Sequence, residues 1–141
     1  MPKTSKQWVD LHIHTTASDS LLTPEEVIET ARKVGLSAIS ITDHDTIDGY
    51  MAVKDLAEEY EIDLIPGVEL SMSYNEEDFH LLGYLIDCEN PEFLKKINSF
   101  QKERRIRGEK MVEKLNELGI DLNIETVKTI AGKGSVGRPH L

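Results

Sequence analysis

Residues 8–14 read Trp8-Val9-Asp10-Leu11-His12-Ile13-His14. The composition is that of a short strand, and side chains alternate faces along a strand. Val9, Leu11 and Ile13 then share one side, which predicts a face turned toward a core. His12 and His14 share the other. Two imidazoles converging from one rigid backbone supply half of a metal site; the alternative is a half-exposed strand that happens to carry two histidines.

Working outward, Thr15 to Ser20 is small and polar and reads as a loop. Thr23-Pro24-Glu25-Glu26 then opens a helix, with Thr as N-cap, Pro at the first helical position and Glu three residues after the cap. Val27, Ile28, Ala31 and Val34 form its apolar stripe and Gly35 ends it. Ser37 to Thr42 is a second strand. Strand, helix and strand with short connections make a βαβ unit with parallel strands.

Asp43-His44-Asp45 follows at the end of that strand, and a second helix runs from about Ile47 to Tyr60. Ile62 to Leu70 reads as a third strand interrupted by Pro66-Gly67, a pattern common where strands bulge beside active sites. Ser71 to Asp78 reads as a polar turn, and Phe79 to Ile86 as a fourth strand with His80 near its start. From Asn90 the character changes to a long helical pattern ending near Leu118. Arg104, Arg105 and Arg107 within it read as a solvated face or as a clamp on phosphate. A further helix spans Ile124 to Ala131, and Gly132-Lys133-Gly134 reads as a loop.

Composition narrows the function classes. The chain has 141 residues, about one domain, and a formal charge of −10. That charge argues against an extended nucleic-acid or anionic-membrane surface, although local cations can still admit a small phosphorylated ligand. The single cysteine, Cys88, excludes an internal disulfide and fits a reducing compartment. No apolar run reaches membrane-spanning length, and Met1-Pro2-Lys3 is not followed by a signal-peptide core. A cytoplasmic enzyme is the expectation.

His12, His14, Asp19, His44, Glu69 and His80 all fall at or near strand ends. In parallel α/β folds ligands bind at the carboxyl ends of strands. His80 fits least well, since its strand would have to run against its neighbours. Nitrogen and oxygen donors without thiolate suit zinc, manganese or iron, and more than four of them imply more than one ion. Clustered ions about 3.5–4 Å apart serve phosphate-ester hydrolysis by metal-activated water. Each residue also has a plainer role: Asp43 and Asp45 as helix caps, Asp19 as a turn residue, Glu69 as a solvent-facing carboxylate, His80 as a partly buried histidine.

Taken together, His12-x-His14, Thr42-Asp43-His44-Asp45, Pro66-Gly67-Val68-Glu69 and His80-Leu81-Leu82-Gly83-Tyr84 resemble the motifs of the PHP (polymerase and histidinol phosphatase) family. Within it the chain is most similar to bacterial phosphoesterases acting on nucleotides, including 3′,5′-nucleotide bisphosphate phosphatases and 5′–3′ exoribonucleases. The resemblance implies an α/β fold: the N-terminal part of a distorted barrel of seven strands (residues 1–89), then the start of a helical insertion (residues 90–141). It implies up to three divalent ions, with His12, His14 and Glu69 on one, Glu69 and His80 on a second, and Asp19 and His44 on a third. No catalytic residue is assigned beyond these ligands. Arg138 and His140, in a segment resembling one that recurs in the subgroup, are placed near the substrate phosphate. The same resemblance implies later strands carrying another histidine and an Asp-x-His pair. The expectation is therefore a C-terminally truncated domain with incomplete metal shells, weaker metal binding, activity compromised by the missing ligands, and an open sheet edge that works against folding as a monomer. The implied function is hydrolysis of a small nucleotide phosphate; a histidinol-phosphate-type phosphatase and a non-catalytic metal-binding module are the alternatives.

Overall fold

The protein is described by a computed structural model covering residues 8–132, 136–137 and 140–141. The polar lead-in at residues 2–7, Lys133-Gly134 of the glycine loop, and Arg138-Pro139 lie outside the described residues.

The first half is two successive βαβ units. β1 (Trp8–Ile13), β2 (Leu36–Ile41) and β3 (Asp63–Leu64) form a parallel sheet in that order, joined by α1 (Pro24–Val34) and α2 (Asp48–Glu59). The start of α1 is set by a capping box: Thr23 Oγ1 accepts from the Glu26 N–H, and Glu26 Oε2 accepts from the Thr23 N–H. Gly35, at φ 77°, ends the helix in the left-handed conformation that glycine adopts without strain. Val27, Ile28 and Ala31 pack with Ile39 and Ile41 of β2 and with Val53, Ala57 and Ile62 to form the main core. Val34, expected on the stripe, is exposed.

The apolar side of β1 is not buried as its alternation suggests. Val9 is 53% exposed and Leu11 37%, and only Ile13 packs against the core. β1 is an edge strand of its sheet, and the helical layer packs over β2.

The run from Ile62 to Leu70 is two strands in two sheets. Proline has no N–H to give a ladder, and β3 ends before Pro66. β4 (Gly67–Tyr74) then pairs antiparallel with β5 (Glu77–Tyr84) in a hairpin. The turn expected over residues 71–78 is confined to Asn75 and Glu76, both at positive φ, as a tight two-residue hairpin requires. A Cβ at Gly67 would press on Ser40 Oγ and stand 2.9 Å from Thr42 Cγ2, so glycine lets β4 lie close against β2. The hairpin is attached at one point of the β2–α2 loop. The Asp45 N–H donates to Glu69 O (2.9 Å) and the Glu69 N–H to Asp43 O (3.2 Å), forming an isolated parallel bridge between His44 and Glu69. The Tyr84 hydroxyl donates to Leu11 O at 2.8 Å and ties β5 to β1.

The remainder is helical. α3 (Pro91–Glu117) is capped by Asn90, and α4 (Ile124–Ala131) by Asn123. Phe93, Leu94, Ile97 and Phe100 of α3 join Ile47 and Val68 in a second apolar cluster, which seats the helix on β4. Farther along, Val112 packs with Val127, Ala131 and Val136. Among the described residues no helix is long and apolar enough to cross a membrane.

Candidate metal centre

Glu69 is the hub. It sits on β4 beside the end of β2 and is only 5% exposed. His12 Nε2 and His14 Nε2 each lie 2.9 Å from its Oε2, and the two nitrogens are 3.1 Å apart. His12 near the end of β1 and His14 just beyond it thus meet on one side, although the register of β1 with β2 shifts between Asp10 and Ile13. His80 Nδ1 approaches the other oxygen, Oε1, at 2.8 Å. His44 Nδ1 stands 3.9 Å from Oε2. Asp19 completes the set from the β1–α1 loop, 3.6 Å from His14 Nδ1 and 3.6 Å from His44 Nε2. The six sequence-derived donors therefore meet in one place.

They form three overlapping groups able to hold a cation: His12, His14 and Glu69; His14, Asp19 and His44; His44, Glu69 and His80. The overlap matters chemically. A carboxylate has two oxygens and bridges two cations readily, whereas a neutral imidazole offers one lone-pair nitrogen. Glu69 can serve two ions, but His14 and His44 must each choose one.

Two further features fit a cation. His44 Nδ1 is buried without a hydrogen-bond partner among the described residues, a costly condition for a polar atom unless something else engages it. Burial, reinforced by the Arg104 guanidinium, lowers the His44 pKa to about 4 against the opposing pull of Asp19 and Glu69. At neutral pH this imidazole is uncharged, with one ring nitrogen carrying the proton and the other offering a lone pair. Burial would raise the Glu69 pKa, but the hydrogen bond from His12 and the fields of His44, His14 and His12 outweigh it. The net shift is downward.

Asp43 and Asp45 are neither helix caps nor members of these groups. The residue before α2 is Ile47, and no side chain caps it. Asp43 is buried and accepts from the Thr15 N–H (2.7 Å), Thr15 Oγ1 (2.7 Å) and Ser18 Oγ (2.6 Å), which anchors the loop carrying Asp19. Asp45 accepts from the Ser71 N–H and from Arg104. Arg104 is therefore no solvated residue; its side chain is 10% exposed. Periodicity held the signal for it: Phe100, Arg104, Gly108 and Val112 recur every fourth residue on the packed side of α3. Arg105 is exposed and lines a polar cleft of about 580 Å³ with Lys102, Gln101, Asn98, Thr46 and Ala17. Ala17 and Thr46 lie two residues from Asp19 and His44. His140 accepts from the Gly137 N–H at 3.0 Å and belongs to none of the three donor groups; Arg138 lies outside the described residues.

Such a convergence of histidines and carboxylates in a mixed α/β fold is the donor set of a candidate metal site. The PHP domain model matches residues 10–132, and the chain belongs to that family. The chain is 35% identical over 133 residues to the 5′-3′ exoribonuclease Rnm of Salmonella typhimurium, covering 93% of this chain and 45% of that protein. It is 33% identical over 112 residues to the 3′,5′-nucleoside bisphosphate phosphatase of Chromobacterium violaceum, covering 79% of this chain and 39% of that one. A crystal structure from Bifidobacterium adolescentis, described provisionally as a metal-dependent phosphoesterase, superposes with a TM-score of 0.82 at 30% identity, covering 96% of this chain and 48% of that one. The chain spans less than half the length of each of these three proteins.

Proposed function

We propose that the chain carries the metal-binding part of a phosphoesterase that hydrolyses a small nucleotide phosphate. The observation that carries this reading is the convergence of four histidines and Asp19 around the buried carboxylate of Glu69. Relatives named as a nucleoside bisphosphate phosphatase and an exoribonuclease support the nucleotide assignment.

In this reading His12, His14 and Glu69 would hold one cation, Glu69 and His80 would contribute to a second, and Asp19 and His44 would serve a third. The donor chemistry suits zinc, manganese or iron. Such ions, when bound, supply positive charge to a phosphoryl oxygen and lower the pKa of water to within reach of neutral pH. The chain's own residues do the rest. Glu69 holds three imidazoles in register, burial keeps His44 uncharged, and Asp43 fixes the loop that presents Asp19. Lys102, Arg105 and Lys128 outnumber Asp48 and Glu109 in the lining of the cleft beside Ala17 and Thr46, which tempers there the repulsion an acidic chain exerts on a phosphate. Arg138 and His140 are proposed as further phosphate contacts.

We also read residues 1–89 as the first half of a barrel and residues 90–141 as the start of a helical insertion. The exposed Val9 and Leu11 on one side of the edge strand β1 support a barrel in which that side is covered.

The test is phosphate release from a panel of nucleotide and sugar phosphates with Mn²⁺ or Zn²⁺ supplied. Release from nucleotides, lost in His14→Ala and His44→Ala, is expected. Release unchanged in both variants would defeat the catalytic reading, and metal binding with no release from any substrate would favour a non-catalytic module.

A further inference from the structure

Arg104 projects from the middle of α3 into the turn that carries His44. Its Nη1 donates to Asp45 Oδ2 at 3.1 Å and to Ser71 Oγ at 2.7 Å. Both charged partners are largely out of water, at 10% exposure for Arg104 and 3% for Asp45. Asp45 itself is held at φ 55°, a left-handed conformation uncommon outside glycine. Its Oδ1 accepts from the Ser71 N–H at 2.8 Å, and its own N–H donates to Glu69 O at 2.9 Å. Asp45 is thus the residue after one donor of the cluster and is bonded through its backbone to the hub of that cluster. Ser71 lies two residues beyond Glu69 on the same face of β4.

From this geometry we propose that Arg104 is a positioning residue of the metal centre. It offsets the buried Asp45 carboxylate and bonds Ser71 at the same time, so that the turn at His44 and the strand at Glu69 are clamped at one separation. Without the guanidinium, the carboxylate would be left charged in a dry turn. The turn would then open toward water rather than tolerate it. Helix α3, whose first three turns pack on β4, would in this way set the spacing of donors that it does not itself supply. The inference rests on the metal-centre reading above for its functional meaning, though not for its geometry.

The test uses the 141-residue chain and two readouts: Zn²⁺ affinity by competition titration, and the backbone amide resonances of His44, Asp45, Glu69 and Ser71 without metal at one fixed pH. Arg104→Met is expected to shift or broaden those four signals and to weaken Zn²⁺ binding by at least about tenfold. Lys110→Met, at an exposed position of the same helix, is expected to change neither. Adding Asp45→Asn to Arg104→Met should recover most of the loss, because an amide needs no counter-charge. If Arg104→Met does not fold, Arg104→Lys decides, with an expected loss between wild type and tenfold and the same four signals displaced. Unmoved signals and Zn²⁺ affinity within twofold of wild type, with only the melting temperature lowered, would make Arg104 a structural strut and overturn the proposal. A wild-type chain that binds no Zn²⁺ would sink the metal reading alone, and the amide signals would still decide the role of Arg104.

Discussion

Glu69 and His80 meet diagonally across an antiparallel pair of strands. The register sets His80 opposite Ser71 and Glu69 opposite Leu82, so Glu69 and His80 share one face two residues out of register. That offset brings Nδ1 to within 2.8 Å of Oε1. The antiparallel pairing with β4 is what lets a histidine in the middle of β5 reach Glu69 near the start of β4. It also makes the centre depend on the hairpin, since His80 reaches it only through β5.

The metal-free chain should lose stability on acidification in two stages. The His44 pKa is lowered to about 4 in the folded chain against an ordinary 6.5, chiefly by burial. Between those values the unfolded chain binds the extra proton, so stability is full above about pH 6.5 and falls as pH drops toward 4. Glu69, its pKa also lowered, adds a further loss below about pH 4.5 in the same direction. Melting curves at pH 7, 5.5 and 4 should show a steady fall, and His44→Gln should flatten its upper part. A melting temperature constant from pH 7 to 4.5 would contradict the account of His44.

Gly49→Ala should be severe, because Gly49 lies on the buried side of α2. An added Cβ would collide with Asp43 Oδ2 and stand 2.8 Å from Thr15 Oγ1, in the network that holds the Asp19 loop. Overpacking of this kind costs about 1–3 kcal/mol. Chemical denaturation should show that loss, and metal affinity should fall with it because Asp19 is displaced. A neutral substitution would mean that the Thr15–Asp43 contact is dispensable.

Thr23→Ala provides the contrast. It removes the capping hydroxyl of α1 and should cost about 1 kcal/mol. Metal binding should not change, because α1 contributes only to the core beneath β2. A fall in metal affinity comparable to that of Gly49→Ala would show that the site senses global stability rather than its own loops.

Much of this was legible from local chemistry. The capping box at Thr23, Gly35, and the histidine alternation on β1 place α1 and two donors with no tertiary information. The misreadings share a cause: they are settled by contacts distant in sequence. Whether Pro66 interrupts one strand or separates two depends on Gly67 fitting against Ser40 and Thr42. The polar run after Ser71 lies on an exposed hairpin, where composition resembles a turn although the backbone stays extended to Tyr74. Arg104 was hidden by the charge around it, and its partner lies 59 residues away. The burial of Val9 and Leu11 failed because the helices pack over β2 and leave the β1 edge open.

Equilibrium dialysis of the wild-type chain and of Glu69→Gln against Zn²⁺ or Mn²⁺, with metal counted per chain, tests the centre most directly. The account predicts at least one bound equivalent in the wild type. It predicts at least about a hundredfold loss of affinity in Glu69→Gln, because one carboxylate anchors His12, His14 and His80 together. No retained metal in the wild type, or equal retention in both proteins, would contradict it.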